Sequence, residues 1–204
     1  MKTIVCFGDS IVEGEGDDLN LGGWVGRLAA KLGPHRGKGF EGFRVYNLGI
    51  GGDTIVNIFH RLGEVVIRKP DIVILGCVGN DVLSYLKDTR HNFPEYKISK
   101  YQAERGWHDT LTILTKLCPH VLVYGFYEVP EKEGGDRMIR YEDSLAHNAF
   151  IEKTCEQYGV CYMSAVVEIG QEGNVSHGSH PNAKGYDILT EAIHTKLTEL
   201  GWLS

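Results

Sequence analysis

The stretch Pro70-Asp71-Ile72-Val73-Ile74-Leu75-Gly76 places four apolar residues in an unbroken row between turn-forming neighbours. A strand with one wet face alternates apolar with polar residues. A continuous apolar run suits a strand buried on both faces, as in a parallel sheet covered by helices. Outward from this run the chain keeps alternating strand with helix. Lys2 to Phe7, ended by Gly8, reads as a strand, as do Phe43 to Leu48, ended by Gly49, His120 to Gly125, and Val160 to Met163. Between them lie helical patterns. One holds Trp24, Val25, Leu28 and Leu32 and stops at Gly33-Pro34. Another, capped by Thr54, carries Ile55, Ile58, Leu62 and Val65-Val66. Others run near Tyr101 to Leu117, from about Arg140 to Tyr158, and after Pro181. Such alternation predicts an α/β fold, a doubly wound three-layer sandwich around a mostly parallel sheet of about five strands.

The composition sets further bounds. The chain has 204 residues, 42% hydrophobic and 24% charged, with a net charge of −6. One domain over 1–204 is expected, and a chain this long buries roughly 70% of its unfolded surface without a metal or disulfide staple. An acidic balance with no Lys/Arg run disfavours nucleic acid as a partner. No apolar run reaches the roughly 18 residues of a membrane span, and the first strand is too short for a signal sequence, so a cytoplasmic protein is expected. Five cysteines without a C-x-x-C pair read as reduced thiols, with Cys6 and Cys77 at buried strand positions. The polar stretches Asp88 to about Lys100 and Glu131 to Asp136 read as surface loops, the first long enough to cover a site.

Open α/β sheets bind ligands beyond the carboxyl ends of their strands. The residues just past each strand here are unusual: Gly8-Asp9-Ser10, then Gly49-Ile50-Gly51-Gly52-Asp53, then Gly79-Asn80-Asp81, and at longer range Ser176-His177-Gly178-Ser179-His180-Pro181. A serine hydroxyl needs a base, usually histidine, to become a nucleophile. Backbone N–H groups freed by glycine and an asparagine amide are the usual donors to a tetrahedral oxyanion. Asp9 and Asp53 read as braces for their loops, and Asp81 as a helix cap. Trp24 and Tyr127 are candidates to line a pocket.

Gly8-Asp9-Ser10-Ile11, Gly52, Gly79-x-Asp81 around Asn80, and His180-Pro181-Asn182 resemble, in order, the blocks of the SGNH/GDSL hydrolases, from Ile4 to Tyr186. The resemblance implies a flavodoxin-like sandwich. It implies Ser10 as nucleophile, His180 as base, and the Ser10 and Gly52 N–H groups with the Asn80 amide as oxyanion hole. The substrate is then a small or medium carboxylic ester and no cofactor is required; the family also holds lipases, thioesterases, lysophospholipases and carbohydrate deacetylases. One position departs. The family usually carries Asp-x-x-His, and here the acid position is His177. That leaves a Ser10–His180 dyad with a backbone carbonyl orienting His180, a carboxylate such as Glu168 or Glu172 swinging in, or a weak or inactive member that binds a ligand. The dyad is the favoured expectation. A nucleotide-binding flavodoxin-like module is a distant alternative, since Gly-x-Gly-Gly lacks the full dinucleotide pattern and no P-loop lysine follows. His177-x-x-His180, with His147 or Asp187 as further donors, invites a metal reading, but the spacing alone does not make a site and no catalytic metal is expected.

Overall fold

The structure is a computed structural model that describes residues 1–33, 42–76, 79–85, 98–127 and 141–204. Cys77, the insertion up to residue 97 and the Glu131 to Asp136 loop lie outside the described residues.

Five parallel strands form the central sheet: β1 (Lys2–Gly8), β2 (Phe43–Gly49), β3 (Ile72–Gly76), β4 (His120–Tyr124) and β5 (Cys161–Met163), in the order β2-β1-β3-β4-β5. The expected parallel α/β sandwich is therefore present. Ile72, Val73, Ile74 and Leu75 are all fully buried, as the unbroken apolar run requires. The chain starts in the middle of the sheet, steps out to β2, and returns past β1 to β3. That reversal between β1 and β3 opens a crevice at their carboxyl ends.

Helices cover both faces. On one, α2 (Gly23–Leu32) packs on the last helix, α8 (Ala183–Glu199), with Trp24, Leu28, Tyr186 and Ile193 fully buried. On the other, α3 (Ile55–His60) packs on α6 (Lys100–Leu117), and α6 on α7 (Tyr141–Tyr158). The single helix expected after Thr54 is two, α3 and α4 (Leu62–Val66). The break falls at Arg61, whose backbone (φ −96°, ψ 3°) leaves the helical range and whose guanidinium reaches Asp53, the Leu48 carbonyl (3.0 Å) and Glu64 (3.0 Å). Thr54 caps α3 as expected, in a box with Asn57. Asp81 lies in α5 (Gly79–Tyr85) but caps α3 instead of its own helix. It is fully buried and accepts from Ile55 N (2.8 Å) and Trp107 Nε1 (2.9 Å).

Two short elements were not legible in the pattern. α1 (Ser10–Glu13) begins immediately after β1, and a two-strand hairpin, β6 (Val175–His177) and β7 (His180–Pro181), precedes α8. Pro181 pairs with Val175 in that hairpin, and Asn182 caps α8 by accepting from Gly185 N (3.1 Å). Among the described residues no helix is long and apolar enough to cross a membrane.

The loop after α1 is fixed by a buried ion pair. Asp17 accepts from Gly23 N (2.9 Å) and Leu21 N (3.0 Å) and binds Arg27 at 2.6 Å, while Arg27 also reaches Asp187 on α8 (2.6 Å). The Arg27 guanidinium holds the Asp17 carboxyl below the usual range against the opposing effect of burial. Removing one partner of a buried pair strands the other charge. Arg27→Ala is therefore expected to lower unfolding free energy by about 3–5 kcal/mol in urea denaturation, near the lower end because backbone donors still serve Asp17.

Candidate active site

Three strands end side by side in glycine: Gly8 is in register with Gly49 on β2 and Gly76 on β3. The strands approach so closely there that a Cβ on Gly8 would stand 1.8 Å from the Gly76 carbonyl oxygen. Their loops are tied across the edge by Asp9 N to Gly76 O (3.2 Å) and Ile50 N to Gly8 O (3.0 Å). Asp9 then caps α1 by accepting from Ile11 N (3.0 Å), the bracing role expected of it, and Ser10 is the first helical residue. Asp53 likewise braces its loop through Arg61.

The β6–β7 hairpin brings His180 to this edge. His180 Nε2 lies 2.9 Å from Ser10 Oγ, across 170 residues of sequence. Both residues are largely enclosed: Ser10 is 7% exposed, and the His180 side chain 15%. The hairpin is pressed against the turn that follows α1. Gly16 takes a left-handed φ of +88°, and a Cβ there would meet Ser176 Oγ at 2.5 Å and the Pro181 carbonyl at 2.7 Å. Tyr186 of α8 donates its hydroxyl to the Glu15 carbonyl (2.6 Å), and Glu15 N donates to Ser10 O (3.0 Å).

Among the described residues no carboxylate hydrogen-bonds to His180 Nδ1. That nitrogen is buried and makes no hydrogen bond, while the His177 backbone favours the protonated form of the ring. The His177 side chain does not take the place of an acid. It is exposed, with Nδ1 3.0 Å from Ser176 Oγ and Nε2 3.4 Å from Glu15 Oε1. The carboxylate that reaches the histidines is Glu15, whose Oε2 lies 3.4 Å from His180 Nε2. Glu15 thus faces the serine side of the ring. Burial, the largest influence, holds the His180 imidazole below its ordinary range; the His177 ring pushes the same way, and Glu15 and the His177 carbonyl oppose them.

Sequence reasoning missed Glu15. The available signal was Gly14-Glu15-Gly16, where Gly14 and Gly16 both have positive φ and fold the carboxylate back over Ser10. The other proposed acids are not the ones at hand. Glu168 lies in a one-turn 3₁₀ helix (Val167–Gly170), where its carbonyl accepts from Asn174, and Glu172 is exposed beyond it.

Among the described residues neither the Ser10 N–H nor the Gly52 N–H has a protein acceptor. Gly52 has φ +83° in the loop after β2. Asn80, at the head of α5, gives one amide hydrogen to the Asp53 carbonyl (3.0 Å), which fixes the side chain and leaves its second hydrogen. Trp24 requires a correction: it is fully buried, edge-on to Tyr124 at 5.8 Å, and presents nothing to a substrate. The helix it opens turns its apolar face inward. Tyr127 is also buried, and with Asp9, Ile11 and Gly76 it lines a small pocket. His147 faces Asp81 (3.7 Å) and Asp187 faces Arg27, so neither joins His177 and His180.

Residues 6–188 match the model of the GDSL-like Lipase/Acylhydrolase family. No protein among curated sequences matches the chain. Among solved structures, the chain is similar to Axe2, an acetylxylan esterase from Geobacillus stearothermophilus. The likeness has TM-score 0.73 at 21% identity, over 98% of this chain and 94% of that one. A catalytic mutant of the same esterase gives TM-score 0.75 at 20% identity, with the same coverage. LAE5, an alpha/beta hydrolase enzyme from the metagenome of Lake Arreo, Spain, gives TM-score 0.69 at 21% identity, over 100% and 96% of the two chains. At these identities the structural likeness speaks for the fold.

The environment of His180 has a measurable consequence. In buffer containing EDTA, NMR titration of the imidazole is expected to give a pKa below 6.5. Glu15→Gln lowers it further by removing the nearby negative charge, and His177→Ala raises it. A pKa above 6.5 in the parent protein contradicts this description.

Proposed function

Because the chain belongs to the GDSL-like Lipase/Acylhydrolase family and is a carboxylic ester hydrolase of that kind, we propose that it works as a serine esterase through a Ser10–His180 dyad. The observation that carries this reading is the 2.9 Å contact between Ser10 Oγ and His180 Nε2 at the carboxyl end of β1. His180 Nε2 takes the hydroxyl proton as Ser10 Oγ attacks the ester carbonyl. The Ser10 N–H, the Gly52 N–H and the second Asn80 amide hydrogen receive the oxyanion. The imidazolium then returns its proton to the departing alcohol, and a water deprotonated by His180 releases the acyl group. For Nε2 to accept a proton, the ring's own proton must sit on Nδ1. The His177 carbonyl, which favours the protonated ring, stands in for the usual acid there.

The substrates are small or medium esters. Acetyl groups on carbohydrate, the substrate named for the structurally similar acetylxylan esterase, are one class to try first. We further place the protein in the cytoplasm as one domain, since Cys6, Cys118, Cys155 and Cys161 are all free thiols. A second reading, a slow or inactive member that holds an ester or carbohydrate ligand, draws on one observation: His180 Nδ1 is buried without a hydrogen bond.

The test is hydrolysis of p-nitrophenyl acetate and of acetylated xylo-oligosaccharides. Ser10→Ala is expected to abolish turnover. Asn80→Ala is expected to lower kcat by about 10²–10³. His177→Asp is expected to raise it, by up to about 10⁴ if the new acid reaches Nδ1. Equal rates for the parent and Ser10→Ala would overturn the esterase reading and favour the ligand-binding one.

A further inference from the structure

Glu15, His177 and His180 offer ligand atoms that all lie within 4.8 Å of one another. Two donors held about 2.0–2.1 Å from a tetrahedral zinc stand about 3.3–3.4 Å apart. Two separations here match it, each through one of the two Glu15 oxygens: Oε1 is 3.4 Å from His177 Nε2, and Oε2 is 3.4 Å from His180 Nε2. Two imidazoles and one carboxylate are also a donor set that zinc favours.

A second observation concerns the lone pairs. The Ser176 hydroxyl has one hydrogen and donates it to the His180 carbonyl (3.3 Å). Its oxygen then stands 3.0 Å from His177 Nδ1, placed to accept from Nδ1–H in the tautomer that frees His177 Nε2, 3.4 Å from Glu15 Oε1, to bind a cation. His180 Nε2, 2.9 Å from Ser10 Oγ, is likewise free to bind once its ring hydrogen sits on Nδ1. With both rings in that tautomer, the two Nε2 atoms and the Glu15 carboxylate converge as three acceptors, an arrangement that suits a shared cation. Ser176 also supplies the outer-shell hydrogen bond that commonly fixes the tautomer of a metal-bound histidine. Glu15 and His177 are exposed, so a cation reaches them from solvent and their side chains are free to close around it.

We propose that Glu15, His177 and His180 form a site for a divalent transition-metal ion of the zinc class, and that the ion inhibits the enzyme by occupying the nitrogen that must accept the Ser10 proton. The inhibitory half rests on the dyad described above; the binding half does not. His177 then has a role that an aspartate in its place would fill less well, since it makes the second imidazole of the site.

The experiment uses chelator-treated protein and Zn²⁺ as the probe. Isothermal titration calorimetry of the Ser10→Ala protein is expected to show one site. Adding Glu15→Gln or His177→Ala to it weakens the site by about tenfold or more. Co²⁺ in the same protein is expected to give visible ligand-field bands that both substitutions remove. In the parent enzyme, Zn²⁺ slows ester hydrolysis and EDTA restores it. No heat up to about 1 mM Zn²⁺, weaker than any site of use to a cell, would overturn the proposal, as would heat unchanged in both substituted proteins. Zn²⁺ that binds with undiminished turnover would overturn the inhibitory half. An enzyme inactive on every ester would count against the serine mechanism alone, because calorimetry on Ser10→Ala needs no turnover. Circular dichroism melts of the substituted proteins confirm that lost binding is not lost folding.

Discussion

The absence of any side chain where β1 meets β3 governs the rest of the structure. Gly8 and Gly76 pass so close that one methyl group would drive the strands apart. That closeness lets Asp9 donate to Gly76 and cap α1 at once, so Ser10 leaves the sheet in a fixed direction. The register that aligns Gly8, Gly49 and Gly76 also sets the start of three loops at one height. Each loop delivers one kind of group: a hydroxyl, a glycine N–H and an asparagine amide. The sheet thereby converts three separate stretches of sequence into one rim, and the long-range hairpin before α8 adds the imidazole.

The electrostatics of that rim differ from a site with an acid behind its histidine. A buried carboxylate at Nδ1 would stabilise the imidazolium from the side away from the serine. Here the negative charge, Glu15, sits on the Nε2 side and is exposed, where solvent weakens it. Burial meanwhile disfavours the charged ring. Burial thus favours the neutral histidine, ready to accept a proton, with the exposed Glu15 and a carbonyl to support it once charged. The same neutrality, with the same lone pair on Nε2, is what a metal ion requires. A base for serine and a ligand for zinc are the same atom, and the second histidine tilts the site toward the metal.

Much of this was legible in the residues. The buried run Ile72 to Leu75 announced the parallel sheet because a strand wet on neither face cannot alternate. Ser10, Gly52, Asn80 and His180 stood out because each follows a strand or opens a helix, and the fold carries His180 to within 2.9 Å of Ser10. The features that sequence left hidden depend on backbone conformation and on distance. Glu15 is unremarkable among many acidic residues until Gly14 and Gly16 fold it back through positive φ. Trp24 looked like a pocket residue from its neighbour in sequence, but the side of α2 it occupies faces the core. The break between α3 and α4 is a backbone departure at Arg61, which no periodicity encodes. Asp81 capped a helix as foreseen, yet the helix was a different one, since its carboxylate crosses to Ile55.

The central claim is that His180 activates Ser10 for attack. Mass spectrometry after brief treatment with a fluorophosphonate, which labels only activated serines, tests it most directly. One adduct on the peptide that carries Ser10, forming far more slowly in His180→Ala, is the predicted result. An adduct on another residue, or labelling of Ser10 at the same rate without His180, would contradict the account.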